Sequence, residues 1–299
     1  MNILAVDTSG PVAGVAVVRD GEIAYDGAAV NRLTHSVNLM PMIEEALNRA
    51  GLAVSDVDLY AAVTGPGSFT GVRIGVSAVK GMAHGAGKPC VGVDALEALA
   101  AGLCLADALV CPIQDARAGQ VYAAAFLPGM PPKRVLPDMA EKLPVFLERA
   151  REAAGERRLC FVGDGVKPFR AAIEQALGTR AAFPPAHMRY LRPASVGLLA
   201  QAYQAQSVDY LMLMPMYLRA KHSVYMDVNG ASYYLTDVND RYWRAQDTSR
   251  KNEKGHYVDC SELVPTVGEF LDIPFVDGKS LKEVFDDATF YASEKPEDE

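Results

Sequence analysis

The glycine-rich phrase from Thr64 to Arg73 is the most unusual candidate for chemistry in this sequence. Gly65, Gly67 and Gly71 punctuate the junction between a predicted strand and a predicted helix. Free backbone amides at a helix start, with a guanidinium one turn later, could bind a phosphate or a carboxylate. The phrase is neither a Walker A loop nor GxGxxG, and a tight turn that lets the helix pack closely on the sheet is the alternative. The candidate anion-binding residues here are Gly65, Gly67, Ser68, Thr70 and Arg73.

Two further turns carry carboxylates at the ends of predicted strands. Asp7, Thr8 and Ser9 could face a nucleotide phosphate through a bound metal, or they could form an Asx-type turn. Asp115 and Arg117 occupy the corresponding turn of the second half and could equally pair with each other. A third loop of this kind, residues 163–165, is a weaker candidate for phosphate binding.

The histidines and cysteines suggest neither a metal site nor a catalytic residue. The histidines form no HxxxH or HExxH pair, and the five cysteines are never spaced as CxxC. No Ser/His/Asp or Cys/His triad can be chosen from spacing. We therefore predict no metal site and no catalytic residue, and we interpret the cysteines as reduced core residues.

Hydrophobic patterning predicts an α/β protein with an internal duplication. Residues 3–93 indicate a three-stranded antiparallel meander, a helix over 35–50, a strand, a helix continuing to 86 and another strand. Strands at 109–114, 121–126 and 159–162, with helices at 141–154, 168–177 and 194–204, repeat the theme. The pattern predicts one lobe over residues 1–105 and a second over residues 106–220.

The helix up to residue 86 is rich in small residues, among them Gly71, Gly75, Ala78 and Gly85. A glycine inside a helix costs about 1 kcal/mol relative to alanine, so this face is expected to contact something closely. The contact could be the interior of its own lobe, which is the usual explanation, or another subunit.

Composition separates the last 79 residues from the rest. Residues 1–220 contain 20 basic and 20 acidic side chains, so residues 221–299 carry the whole net charge of −8 and also 11 of the 24 aromatic residues. Neither part has the basic footprint that unaided nucleic-acid binding requires. We predict a small α+β module over residues 221–299, with strands at 224–229 and 232–236, a basic loop at 250–254 and a short helix near 262–270.

Hydrophobic content of 50% and 22% charged residues exclude general disorder. The longest uncharged apolar run has nine residues, against about 20 for a membrane-spanning helix. With no cationic leader pattern at the start, we expect a cytoplasmic protein without a membrane partner.

Five phrases within the first 219 residues together resemble the TsaB (YeaZ) family in order and spacing. They are Ile3–Ser9, Thr34–Ser36 with Met40-Pro41, Gly65–Gly75, Asp115–Arg117 with Val121-Tyr122, and Pro215–Arg219. The resemblance implies a two-lobed fold of the actin-like and sugar-kinase (ASKHA) ATPase superfamily, each lobe with an RNase H-like plan. The Asp7 and Asp115 turns match the superfamily's phosphate loops, which TsaB members have in degenerate form.

The resemblance also implies a function. A TsaB protein is a non-catalytic scaffold that binds TsaD, and the complex transfers a threonylcarbamoyl group to adenosine 37 of tRNAs that read ANN codons. The resemblance also implies that TsaE joins this complex and that tRNA is bound through it, and a homodimer in the absence of TsaD stays an open alternative. ATP and a divalent metal are expected in the partner subunits, with no cofactor held firmly here. The implied interface residues are His35, Met40, Ile43, Leu47, Gly71, Val72, Gly75, Val76, Val79 and Met82.

Two departures from the family pattern stand out, and a third difference separates the chain from the paralogue TsaD. Gln120 occupies a position where glutamate is common, which removes a carboxylate near the second-lobe turn. Leu39 stands four residues after His35, where the paralogue TsaD has the second of its metal-binding histidines. The chain also continues for 79 residues beyond the last matching phrase.

Alternatives to the scaffold hypothesis remain open. The whole chain could be a free-standing nucleotide-dependent transferase or hydrolase that uses Asp7, Thr8 and Arg73. The extension could bind another protein, imitate nucleic acid on a basic surface, or pack on the second lobe.

Overall fold

A computed structural model of the chain describes residues 1–30, 35–103, 107–218, 224–238, 242–253, 257–263, 270, 272–284 and 287–292. The chain divides into two compact units, Met1–Ala220 and Lys221–Glu299. The predicted lobe boundary at residues 105 and 106 falls outside the described residues, as do Thr34 and Arg219 of the family phrases.

The first half of the larger unit is a five-stranded sheet with helices. Its elements are β1 Asn2–Asp7, β2 Ala13–Arg19, β3 Glu22–Ala29, α1 His35–Ala50, β4 Leu59–Gly65, α2 Phe69–Ala86, β5 Cys90–Asp94 and α3 Ala95–Ala101. The strand order is β3-β2-β1-β4-β5, with β1 antiparallel to β2 and parallel to β4. The predicted meander and the helix over 35–50 are confirmed.

The second half repeats this plan. Its elements are β6 Ala108–Asp115, β7 Gln120–Leu127, β8 Lys133–Lys142, α4 Leu143–Ala154, β9 Arg158–Val162, α5 Val166–Leu177, β10 Ala181–Ala182 and α6 Pro193–Ala202. The strand order, β10-β9-β6-β7-β8, is that of the first sheet read from the other edge. The two-lobed, duplicated α/β fold is therefore confirmed.

Three apolar cores hold this unit together. The outer face of the first sheet packs under α1 and α2, and the outer face of the second sheet packs under α4 and α5. The third core lies between the two sheets, where α3 and α6 contribute residues alongside both. Since Leu96 and Leu199 are fully buried there, the two lobes share one interior.

The smaller unit is an antiparallel sheet with its own core. Its elements are β11 Val224–Val228, β12 Ala231–Val238, β13 Tyr242–Lys251, β14 Tyr257–Asp259, β15 Pro274–Val276, β16 Lys279–Ser280, α7 Leu281–Val284 and β17 Thr289–Ala292. Five strands pair in the order β14-β13-β12-β11-β17, and Met226, Leu235, Phe270 and Leu281 are buried on one side.

The predictions for this unit were partly wrong. The basic segment predicted as a loop at 250–254 begins as strand, because Arg250 and Lys251 continue β13. The helix predicted near 262–270 falls largely on residues 264–269, outside the described residues, and Glu262 and Leu263 are not helical.

Candidate functional site

The glycine-rich loop is built against the protein's own backbone. A Cβ at Gly65 would lie 2.3 Å from the carbonyl oxygen of Met216, and one at Gly67 would lie 2.3 Å from that of Ser9. The backbone amide of Ser68 donates to Ser9 O at 2.7 Å. Ser68 Oγ in turn accepts a hydrogen bond from Gly71 N and caps α2. This geometry is that of a tight turn that packs α2 closely on the sheet, which is the alternative to an anion-binding loop.

The side chain of Arg73 is engaged by two aromatic residues. Its guanidinium lies 3.8 Å from the centroid of the Phe69 ring, and its Nε donates to the hydroxyl of Tyr217 at 2.7 Å. Thr70 is exposed on the first turn of α2. The predicted anion-binding set therefore does not converge on one point.

The turn after β1 is buried and forms an Asx-type turn. Asp7 is 2% exposed, and its Oδ1 accepts hydrogen bonds from Ser9 N at 2.8 Å and Ser9 Oγ at 2.7 Å. Thr8 Oγ1 donates to Gly71 O at 2.7 Å, which fixes α2 to β1. Burial raises the pKa of Asp7 to about 6, while the hydrogen bonds from Ser9 and the charge of His35 lower it.

The second-lobe turn has similar local geometry. The backbone amide of Arg117 donates to Asp115 Oδ1 at 2.9 Å, and the side chain of Arg117 is exposed. The deeper carboxylate in this lobe belongs to Asp164, whose pKa burial raises to about 6 despite backbone hydrogen bonds from Asp115 and Gly165. The weakest of the three predicted loops thus supplies a largely buried acid.

A small cavity joins the two lobes at this point. Asp7 and Ser9 line it from the first lobe, and Gln114, Asp164 and Tyr190 line it from the second. Its volume is about 20 Å³, enough for about one water molecule, whereas ligand pockets usually measure about 300–1,000 Å³. This cavity is therefore much smaller than a typical ligand pocket.

Most of the predicted interface residues are core residues of the first lobe. Ile43, Leu47, Val72, Val76 and Val79 are at most 4% exposed and pack against its sheet. They are packing residues of their own lobe, and Ile43 and Leu47 also line a groove on its surface, so contact with a partner stays a prediction for this set.

Two glycines of α2 make close contacts inside the lobe, and two others lie on its exposed face, where another subunit could contact them. A Cβ at Gly71 would lie 2.1 Å from Thr8 O, and one at Gly75 would lie 2.5 Å from Thr8 Oγ1, so both serve contact within the lobe. At Gly81 and Gly85 an added Cβ would meet none of the described atoms within 4 Å. These two glycines lie on the exposed face.

That exposed face adjoins an apolar groove. Met40 is 53% exposed on α1, and a groove of about 440 Å³ runs past it, lined by Pro41, Leu52, Val54 and Met82 among others. His35, at the start of α1, is half-buried, and its Nε2 lies 2.8 Å from Gly10 O. Of the predicted interface residues, Met40, Met82 and His35 are at least partly exposed, and the mostly buried Ile43 and Leu47 line the groove.

Neither a metal cluster nor a membrane-spanning helix is found in the part of the chain that the structure describes. No three His, Cys, Asp or Glu side chains there are grouped to share a metal ion. None of its helices is both long and apolar enough to cross a membrane.

The sequence matches the family described as "TsaD: tRNA N6-adenosine threonylcarbamoyltransferase" over residues 30–224. It is 34% identical to the tRNA threonylcarbamoyladenosine biosynthesis protein TsaB of Bacillus subtilis, over 73% of this chain and 94% of that protein. The chain belongs to the TsaB family. The solved structure of YeaZ from Pseudomonas aeruginosa covers 73% of this chain and 99% of its own, with a TM-score of 0.60 at 26% identity. The TsaD-type relative from Moorella thermoacetica matches only 32% of this chain, at 37% identity.

The structure shows what Leu39 and Gln120 do in place of the histidine of TsaD and the common glutamate of the TsaB family. Leu39, the residue four after His35, is 2% exposed and packs in the core beneath α1. Gln120 is 6% exposed, and its backbone closes the second-lobe turn by bonding to Ala116 and Arg117. Both positions therefore contribute to packing in this TsaB-family chain.

Proposed function

We propose that this chain is a non-catalytic subunit in tRNA threonylcarbamoyladenosine biosynthesis that acts by binding a TsaD-type partner. The observation that carries the proposal is the exposed surface of α1 and α2. It combines the apolar side chains of Val37 and Met40 with a groove of about 440 Å³. Beside them, three small residues form an exposed row on α2: Ser77, Gly81 and Gly85. Contiguous apolar surface of this kind is typical of protein interaction sites.

The small residues suit a partner helix. Ser77, Gly81 and Gly85 are exposed on one side of α2, and such residues let two helix backbones approach closely. Interior glycines weaken a helix by about 1 kcal/mol each relative to alanine, and Gly81 makes no compensating contact within its lobe. A helix of the partner packed across this row would supply that contact.

The small volume of the interlobe cavity supports a non-catalytic role for this subunit. A cavity of about 20 Å³ is much smaller than a typical ligand pocket, so ATP and the divalent metal are assigned to the partner subunits, TsaD and TsaE. Residues 1–220 have balanced charge, so tRNA would be bound through the assembled complex. The proposed compartment is the cytoplasm.

Titration calorimetry with TsaD from the same organism tests the proposal. Gly81→Trp places a large side chain on the open row and should abolish binding without unfolding the chain, because nothing described lies within 4 Å. Ala171→Trp, an exposed helix position in the second lobe, is the matched control and should leave the Kd unchanged. Absence of binding by the unmodified chain would refute the proposal. Light scattering of both variants alone shows whether a homodimer uses the same face.

A further inference from the structure

The segment Val208–Leu218, here called the strap, runs along one flank of α2. The backbones of Val208 and Cys90 exchange hydrogen bonds of 2.8 and 2.9 Å, and Met216 N donates to Thr64 O at 2.7 Å. Leu213 between them is buried in the first-lobe core. The strap is thus fixed to the sheet at both ends.

Side chains attach the strap to α2 along most of the helix. The rings of Tyr210 and His84 lie 4.3 Å apart, and Lys80 Nζ donates to Leu211 O at 3.4 Å. Near the other end, Tyr217 accepts the hydrogen bond from Arg73. The strap therefore runs antiparallel to α2 and extends its outer surface.

The strap presents apolar side chains outward. Leu211, Met212 and Met214 are 64%, 70% and 63% exposed, within four residues of one another. Singly exposed apolar residues need no explanation, but a contiguous group indicates an interaction surface. Methionine side chains adapt their shape to a partner, which suits this position.

Arg73 is held in one orientation at the edge of this surface. Its guanidinium stacks on Phe69, and Nε is occupied by Tyr217, whose ring centroid lies 5.2 Å from that of Phe69. The two terminal nitrogens form the edge that pairs with a carboxylate in bidentate fashion. Because the side chain is already ordered, pairing costs little conformational entropy.

Resting on the function proposed above, we propose that the strap and Arg73 extend the partner-binding surface of α1 and α2. An amphipathic helix of the TsaD-type partner packs against this part of the surface. The exposed strap residues would contact its apolar side, and a carboxylate of that helix would pair with Arg73. Charge complementarity supports this occupant, since the cationic side chains of Arg73 and Lys80 both contact the strap. The nearby carboxylate of Asp209 is engaged by the backbone amide of Leu211.

Calorimetric titration of the full chain with TsaD measures the contribution of each part. We expect Met212→Ser with Met214→Ser to weaken the Kd about tenfold, and Arg73→Gln to weaken it about tenfold and flatten its salt dependence. Arg73→Lys keeps the charge but loses the planar fork, so it should restore only part of the affinity. Met130→Ser, an exposed methionine in the second lobe, is the control and should bind normally. Unchanged melting temperatures establish that the variants are folded.

The outcomes separate this inference from the proposed function. If Gly81→Trp abolishes binding while the strap and Arg73 variants keep the Kd within twofold, the strap proposal is wrong and the function stands. If the unmodified chain does not bind TsaD, both fail. If Arg73→Gln leaves the TsaD affinity intact but weakens tRNA binding by the complex, the surface contacts RNA and the proposal is overturned. A change only in self-association would overturn it in favour of a second copy.

Discussion

Asp7→Asn should stabilise the protein at neutral and alkaline pH. Asp7 is buried, and both hydrogen bonds from Ser9 go to one of its oxygens, Oδ1. An asparagine Oδ1 can accept the same two bonds, so the substitution removes the charge while keeping the turn. What it eliminates is the cost of burying an ionised carboxylate.

The magnitude follows from the raised pKa. The pKa of Asp7 rises from 3.8 to about 6 on folding because burial disfavours the charged form. A raised folded-state pKa gives stability that is fully present below the unfolded value of 3.8 and is lost as pH rises through about 6. The difference corresponds to about 3 kcal/mol lost by pH 8, most of it between pH 4 and pH 7. Asp7→Asn should therefore exceed the unmodified protein by about 2–3 kcal/mol at pH 8, and by less than about 1 kcal/mol at pH 4.

Urea unfolding followed by far-ultraviolet circular dichroism at several pH values measures this difference. The signal reports mainly on the larger unit, which contains the six long described helices. If Asp7→Asn is less stable than the unmodified protein at pH 8 by the same amount as at pH 4, the ionised carboxylate is stabilised in the fold and the reasoning fails. If magnesium raises the melting temperature of the unmodified protein but not of the variant, the cleft binds a cation through Asp7, contrary to the assignment of metal to the partner subunits.

Further predictions concern packing and the extension. Gly75→Ala should lower the melting temperature by several degrees because its Cβ would lie 2.5 Å from Thr8 Oγ1, whereas Gly81→Ala should raise the free energy of unfolding by up to about 1 kcal/mol. Thr8→Val should cost about 1 kcal/mol in urea unfolding, since it removes the hydrogen bond to Gly71 O. A chain ending at residue 218 should keep its far-ultraviolet spectrum and its Kd for TsaD, because the larger unit has its own cores. A protein-binding role for the extension stays a prediction, tested by co-purification with the isolated and full-length forms.

Periodicity predicted the elements whose burial follows one simple pattern. The first meander and α1 have regular apolar spacing and sharp turn signals, and the structure has them at nearly the predicted bounds. Strand β8 was missed, because Lys133–Lys142 has only one buried residue, Met139, and contains Pro137. It is an edge strand, where proline is tolerated and alternation is weak.

The sequence predicted which segments form the candidate site but not which contacts their side chains make. Spacing identified the glycine loop and the Asp7 turn, yet Arg73 pairs with Tyr217, which lies 144 residues away in sequence. The predicted interface residues, which stay a prediction, were chosen by a signal of the same limited kind. An apolar stripe such as Ile43, Leu47 and Val79 marks the side of a helix that faces its own core. The surface offered to a partner leaves a weaker signal, here small residues and isolated methionines.

The duplication of the fold provides an internal comparison for the docking proposal. Helix α5 occupies in the second lobe the place that α2 occupies in the first, and its exposed face carries an Arg170–Glu174 ion pair. That is the ordinary surface of a solvated helix, where i,i+4 pairs add a few tenths of a kcal/mol. On α2 the exposed face instead carries Gly81 and Gly85, which cost helix stability without contact inside the lobe. The two lobes thus have the same internal plan and differ on the exposed faces of α2 and α5. A partner that packs on α2 would account for the helix stability that Gly81 and Gly85 cost.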